Sequence, residues 1–385
     1  MALQRPLVLL GASLLLLGSG CRSDVQFNPN IQPPPLGHDH GQWLSMDIGP
    51  SGDLAVTYYD REYGGIGFAR GEIQPDDTVW WHHEKVDGYA GSDGVNPGDR
   101  GRFTSMQIDA EGVVWASYQD SVNHSLRVAH RRGDTWESEL ADAGSGITPE
   151  AGLWTSLALG PDGQPIVAHY DKANSSLRVA RRDAEGTWSA EQVWEGEPFE
   201  TTDAEGQPVT RPADVGTFAR LYLDGDTEYL AFHDSARQSL ELLEGTAGSY
   251  SHTTVHSEGR VGQWPSLWKE GETLYVAFHD MGNQDLLLAQ REGTGDFSVE
   301  VVDDARYVGA DTEVFVHEGR VHIVYFDGYD NDMKLAVQGE EGWELQRVGA
   351  SGVGVGYHNE VAFDGTRWWA ASYNYTSRDI FVRPL

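Results

Sequence analysis

The chain has 385 residues, with 60 acidic against 27 basic side chains, a formal net charge of −33 and a single cysteine. Such a negative field disfavours nucleic acid, anionic lipid head groups and anionic polysaccharides as partners. One cysteine leaves no disulfide within the chain, so the core must come from packing, and 13 Trp, 16 Tyr and 12 Phe supply bulky material for it.

Residues 1–20 read as a cleaved export signal. Arg5 makes a minimal positive start, and the apolar run at 7–17 is shorter than the roughly 20 residues a bilayer span requires. The segment Leu17-Gly18-Ser19-Gly20-Cys21 resembles the lipobox of bacterial lipoproteins. That resemblance implies a lipidated Cys21 at the mature N-terminus and membrane attachment through several acyl chains. Because Arg22 rather than Asp follows, it also implies delivery to the outer membrane. An ordinary secretory signal with an incidental cysteine is the alternative. Residues 21–40 form a linker, and 41–385 a single repeat domain.

From residue 41 onward one phrase returns seven times. An aromatic-rich strand ends at Asp60, Asp120, Asp171, Asp234, Asp280, Asp327 and Asn374, as in LAVTYYD, PIVAHYD and LYVAFHD. A partner strand follows in register, ending at Ala69, Ala129, Ala180, Leu243, Ala289, Ala336 and Arg383. Ahead of each pair stands a glycine that opens an inner strand: Gly41, Gly101, Gly152, Gly216, Gly262, Gly309 and Gly356. A Trp- or aromatic-bearing strand closes the unit. Four antiparallel strands per unit, A to D, repeated seven times with no helical pattern, predict an all-β, seven-bladed propeller. The last unit ends after its strand C, so residues 25–32 are the candidate for the missing outer strand, which an open ring would otherwise leave as a bare edge. The longer D-to-A connections, 87–100 and 195–215, read as irregular loops, either disordered or serving, in at least one case, a binding role.

The Asp ending each strand B reads as the cap of its own turn, because its carboxylate reaches backbone N–H groups two or three residues on. Departures from the repeat are the better place to look for chemistry. At the second position after the glycine five blades carry Trp43, Phe103, Trp154, Phe218 and Trp264, where the last two carry Asp311 and His358. Two positions further Ser45, Ser105, Ser156 and Ser266 give way to Arg220, Glu313 and Glu360. Starting the inner strands, these side chains would ring the channel mouth. Asp311, Glu313, His358, Glu360 and Arg220 thus form one expected polar cluster, with Glu313, Glu360 and His358 as acid–base candidates and Arg220 and Asp311 as ligand contacts; a hydrated channel lining is the alternative. Most of the tryptophans stand at repeated strand positions and read as core between blades; Trp43, Trp154 and Trp264, close to the mouth, are the ones to test for stacking on a sugar, and His169 is a further ligand candidate. Asp327, Asp330 and Asp332 are oxygen-rich enough to suggest Ca²⁺, without the spacing of an EF-hand loop. No other cofactor is expected.

The units SLALGPDGQPIVAHYD and LRVA resemble those of bacterial propeller lipoproteins and, more distantly, of the sialidase-like propeller superfamily. The Asp-box Ser-x-Asp-x-Gly-x-x-Trp is present only as the half-match Ser45-Met-Asp47-Ile-Gly49, and no three-arginine clamp is visible, so the resemblance implies a fold and no sialidase activity. Three functions follow as expectations: a monomeric, non-catalytic cell-envelope protein binding a glycan or protein on its outward face, a polysaccharide lyase or hydrolase working at the channel mouth, or a structural subunit of an envelope complex.

Overall fold

The computed structural model describes residues 39–90, 96–349 and 352–385. Within them the chain forms a seven-bladed β-propeller. Six blades are four-stranded antiparallel sheets, the first built from His40–Ile48, Leu54–Asp60, Gly65–Ile73 and Val79–Asp87. The seventh shows three strands, Tyr357–Phe363, Trp368–Asn374 and Asp379–Pro384. The proposed outer strand at 25–32, like Cys21, lies outside the described residues. Among those described, no helix is long and apolar enough to cross a membrane.

Burial across a blade follows from its position in the ring. Strand B is buried along its whole length in blades one and two, because both its faces pack against neighbouring blades. Strand D alternates between half-buried and exposed, as in Val79–Asp87 and Trp188–Trp194, and carries the charged residues that protect an outer edge. Hydrophobic clusters therefore lie between blades. One spans the first and last, joining Leu44, Met46 and Tyr58 to Trp369 and Tyr373.

Each B-to-C turn is built in the expected way. Asp60 Oδ1 accepts N–H bonds from Glu62 (3.1 Å) and Tyr63 (3.3 Å), Asp280 Oδ1 from Gly282 (2.7 Å) and Asn283 (3.1 Å), and Asn374 Oδ1 from Thr376 (2.9 Å) and Ser377 (3.0 Å). The turn ends on a left-handed residue whose carbonyl then stitches the next blade in place. Arg100 N–H donates to Gly64 O (2.9 Å), Val308 N–H to Gln284 O (3.0 Å), and His40 N–H to Arg378 O (3.0 Å), the last closing blade seven onto blade one. Tyr373 adds a second closing bond, its hydroxyl donating to Asp39 (2.7 Å).

The opening glycine of strand A sits at the tightest point of this seam. At Gly309 (φ +96°) a Cβ would lie 2.6 Å from Asp285 O, and at Gly356 (φ +98°) 2.6 Å from Asp332 O. Both the dihedral and the contact exclude any other residue.

The connection at 195–215 differs from the loop predicted. It folds into a two-stranded hairpin, Phe199–Thr202 with Pro208–Arg211. Its turn is held by Asp203, whose carboxylate accepts from Glu205 N–H (3.1 Å) and Gln207 N–H (2.7 Å), with Gly206 left-handed at φ 78°. The hairpin belongs to the face carrying the D-to-A and B-to-C connections, called here the upper face.

Candidate functional site at the channel mouth

Strand A opens on the upper face, and the second residue after its opening glycine does something unusual in all seven blades. Trp43, Phe103, Trp154, Phe218, Trp264, Asp311 and His358 adopt left-handed backbone, with φ of 47°, 56°, 47°, 55°, 49°, 49° and 54°. For bulky residues this conformation is rare and costs on the order of 1–2 kcal/mol each. It breaks the A–B register, as between Gln42 and Ser45, between Arg102 and Ser105, and between Ala310 and Glu313. The resulting bulges aim all seven side chains at the channel axis.

There the aromatics form a continuous arc. Ring centroids stand 5.5 Å apart for His358–Trp43, 5.4 Å for Trp43–Phe103, 5.3 Å for Phe103–Trp154, 5.1 Å for Trp154–Phe218 and 4.8 Å for Phe218–Trp264. Asp311 fills the remaining sector. Strand B props the arc from behind: Tyr59, Tyr170 and His279 meet Trp43, Trp154 and Trp264 at 5.5, 5.7 and 5.6 Å. Tyr59 and Tyr170 are themselves held by hydroxyl donation to Asp99 (2.7 Å) and Asp214 (2.6 Å). The backbone is pinned too, by Thr155 Oγ1 donating to Phe103 O (2.5 Å) and Thr312 Oγ1 to Trp264 O (2.6 Å). All seven mouth side chains remain half-buried, so the arc walls an open cup, with a cavity of ≈ 110 Å³.

Two residues deeper, Arg220 lies between Glu313 and Glu360. It pairs closely with Glu313, and its Nη1 is 3.6 Å from Glu360 Oε1. This ion triad forms a floor, since it lines both the cup and a second, polar cavity of ≈ 240 Å³ beneath, walled by Ser45, Asp47, Ser105, Gln107 and Ser156. The serines in this layer are structural: Ser45, Ser105, Ser156 and Ser266 accept N–H bonds from Met106, Leu157, Leu221 and Val314 of the following blade at 2.9–3.1 Å. Glu360 takes over that role by accepting from Met46 N–H.

The electrostatics of the cup follow from the protein that surrounds it. Burial pushes the Glu360 carboxyl up to about 7, with Arg220 only partly offsetting it. Burial also raises Asp311, opposed by His358 and by an N–H bond from its backbone, and it lowers His358 against the pull of Asp311. Burial thus works against charge on Asp311, His358 and Glu360 alike, and the Glu360 carboxyl is carried closest to neutral pH.

The predicted residues sort as follows. Trp43, Trp154, Trp264, Arg220, Asp311, Glu313, His358 and Glu360 do converge on one cavity. Phe103 and Phe218 belong to the same arc; the signal was their shared position after the glycine, which also marked the three tryptophans. His169 does not join them. It is fully buried between blades, accepting from Gly152 N–H (3.2 Å) and paired with Asp142 (3.1 Å), a carboxylate that Arg178 also holds at 2.7 Å. Out of contact with solvent and with both ring nitrogens engaged, it braces blade three and is no ligand contact.

Asp327 caps its turn and lies 3.7 Å from Lys334, while Asp330 and Asp332 both pair with Arg347. Among the described residues no group of three or more His, Cys, Asp or Glu is arranged to hold a metal ion.

No known protein family matches the sequence, and no curated protein matches it either. Solved structures do. A streptogramin B lyase is 10% identical with a TM-score of 0.53, the match covering 92% of this chain and 96% of that one. A Hadza microbial sialidase is 14% identical with a TM-score of 0.50, over 75% of this chain and 64% of that one, so the present chain spans under two thirds of its length. A fucose-specific lectin from Aleuria aurantia is more distant, at 12% identity and a TM-score of 0.46 over 80% of this chain and 95% of that one. Identities this low speak to fold alone, and the fold they speak for is a β-propeller distantly like that of the sialidases.

Proposed function

We propose that the cup binds a neutral glycan without cleaving it. One observation carries this reading: five aromatic side chains are held around a solvent-open cavity by a backbone conformation that disfavours them. Aromatic faces match the C–H faces of sugar rings, and Asp311 and His358 supply the acceptor and donor needed for hydroxyls. The net charge of −33 selects against uronates and other anionic polymers. The sequence signature at Cys21 supports a lipid-anchored protein of the bacterial outer membrane; we propose further that the upper face is directed away from the bilayer and that the chain acts as a monomer.

A second reading has one specific support. Glu360, raised to about 7 beneath the aromatic arc, has the protonation of a general acid, which would make the cup the active site of a polysaccharide lyase or hydrolase. A single experiment separates the two. The purified chain is incubated with a panel of neutral and anionic polysaccharides, reading retention and new reducing or unsaturated ends. Retention of neutral polymers without products is expected. Products lost in Glu360→Gln would establish the enzyme, and no retention at all would remove the glycan reading and leave a protein partner.

A further inference from the structure

Blades four and five carry a histidine at the same place, His233 and His279, each one residue before the turn-capping Asp. Both are buried, and burial pushes both down to about 4, so both are neutral at ordinary pH. Their partners differ. His233 Nδ1 lies 3.1 Å from Thr217 Oγ1 and 3.3 Å from Ser235 Oγ. In blade five the equivalents of Thr217 and Ser235 are Gln263 and Met281, and the buried Nδ1 of His279 has no hydrogen-bond partner. An imidazole nitrogen left so is costly unless something else meets it.

His279, 9% exposed, lines a cavity at the seam of blades five and six. The rest of the lining is chiefly apolar, from Trp264, Met281, Tyr307, Ala310 and Phe326. Trp264 also ends the aromatic arc, so the pocket adjoins the cup across one indole. Its ≈ 40 Å³ is about three times the roughly 10–15 Å³ that one water needs on the same measure, enough for three heavy atoms. A fitting occupant is apolar, with one hydrogen-bonding atom a bond away from its apolar end.

We propose that this pocket is a subsite for an acetyl substituent carried by the saccharide in the cup, taking the methyl among Trp264, Met281 and Phe326 and the carbonyl oxygen on His279 Nδ1–H. The inference rests on the glycan reading of the cup. It assigns the sugar class: neutral and acetylated, through oxygen or through nitrogen.

Calorimetric titration of the full chain in detergent tests it in two arms. O-acetylated xylo-oligosaccharide is compared with its deacetylated form, and chitotetraose with cellotetraose. The acetylated member of at least one pair binds ~10-fold tighter, as one hydrogen bond and one buried methyl would give, and the arm that shows it identifies the linkage. The double variant Gln263→Thr/Met281→Ser gives His279 the partners His233 already has, and the preference falls to about one. In the wild-type protein the His279 imidazole nitrogen resonances shift with the acetylated sugar alone. Binding of both members of each pair with equal affinity, or a preference that survives the double variant, overturns the subsite and leaves the cup reading intact. Failure of every oligosaccharide to bind overturns both.

Discussion

At the channel mouth Trp43, Phe103, Trp154, Phe218 and Trp264 stand where the last two blades place Asp311 and His358, on a backbone whose φ stays between 47° and 56° throughout. The fold requires the left-handed bulge in every blade, and an Asp or a His satisfies it. Asp is in fact better suited to that conformation than Trp or Phe, since its short polar side chain tolerates it. The five aromatics are therefore not there for the backbone. Their difference from blades six and seven reports what the side chains face, an open cup with one stacking wall and one polar wall.

That contrast is best broken at the shared backbone first. Gly309→Val places side-chain atoms against Asp285 O and forces φ +96° on a β-branched residue, so it should destabilise the fold by about 3 kcal/mol or more. Thermal and urea unfolding would show it as a lower midpoint. Arg220→Met leaves Glu313 and Glu360 facing each other unpaired, with an expected loss of about 3 kcal/mol at neutral pH that shrinks as pH falls and the carboxyls protonate.

On the aromatic wall, Trp154→Gly removes the ring and the left-handed strain together. Glycan affinity should drop ~10-fold or more while the unfolding midpoint barely moves, because relieved strain offsets lost ring contacts. Equal losses in binding and stability would mean that the ring is core.

The polar wall is sharpened by pH. The Glu360 carboxyl is raised from 4.5 to about 7, so the folded state holds its proton more tightly than the unfolded chain. Its contribution to stability is complete below about pH 4.5 and is lost as pH rises to about 7. Glu360→Gln should accordingly gain stability relative to the wild type across that window, by no more than about 3 kcal/mol in urea unfolding. The smallest effect is expected at the rim. Arg367→Ala breaks an exposed pair with Asp77 that bridges blades seven and one, and should leave the unfolding midpoint unchanged, since the ring closes through His40 and Tyr373.

Much of this was legible in the sequence because a propeller repeats its physics. Each blade must cap the same turn and pass the same backbone seam, so Asp and Gly recur at fixed places and announce seven units. The polar floor was legible for the opposite reason: Arg220, Glu313 and Glu360 interrupt a serine whose role the repeat defines. What escaped was whatever depends on the neighbouring blade. His169 lies in a strand like those of His233 and His279, but only the fold brings Asp142 across the seam from blade two to meet it, beside Arg178 of its own blade. The left-handed turn of the mouth residues leaves no mark on composition either, so Phe103 and Phe218, though placed at the mouth by their position after the glycine, were not singled out as ligand contacts. The hairpin at 199–211 was hidden by its turn-rich composition, although Asp203 and Gly206 are the residues such a turn needs.

The central claim is that the aromatic arc and its polar sector hold the ligand. A crystal structure of the chain with the oligosaccharide it retains best tests that most directly. Sugar rings stacked on Trp43, Trp154 or Trp264 within the cup, with a hydroxyl on Asp311 or His358, are the predicted result. A saccharide bound on the outer strands or in the lower cavity, with the cup empty, would contradict the account.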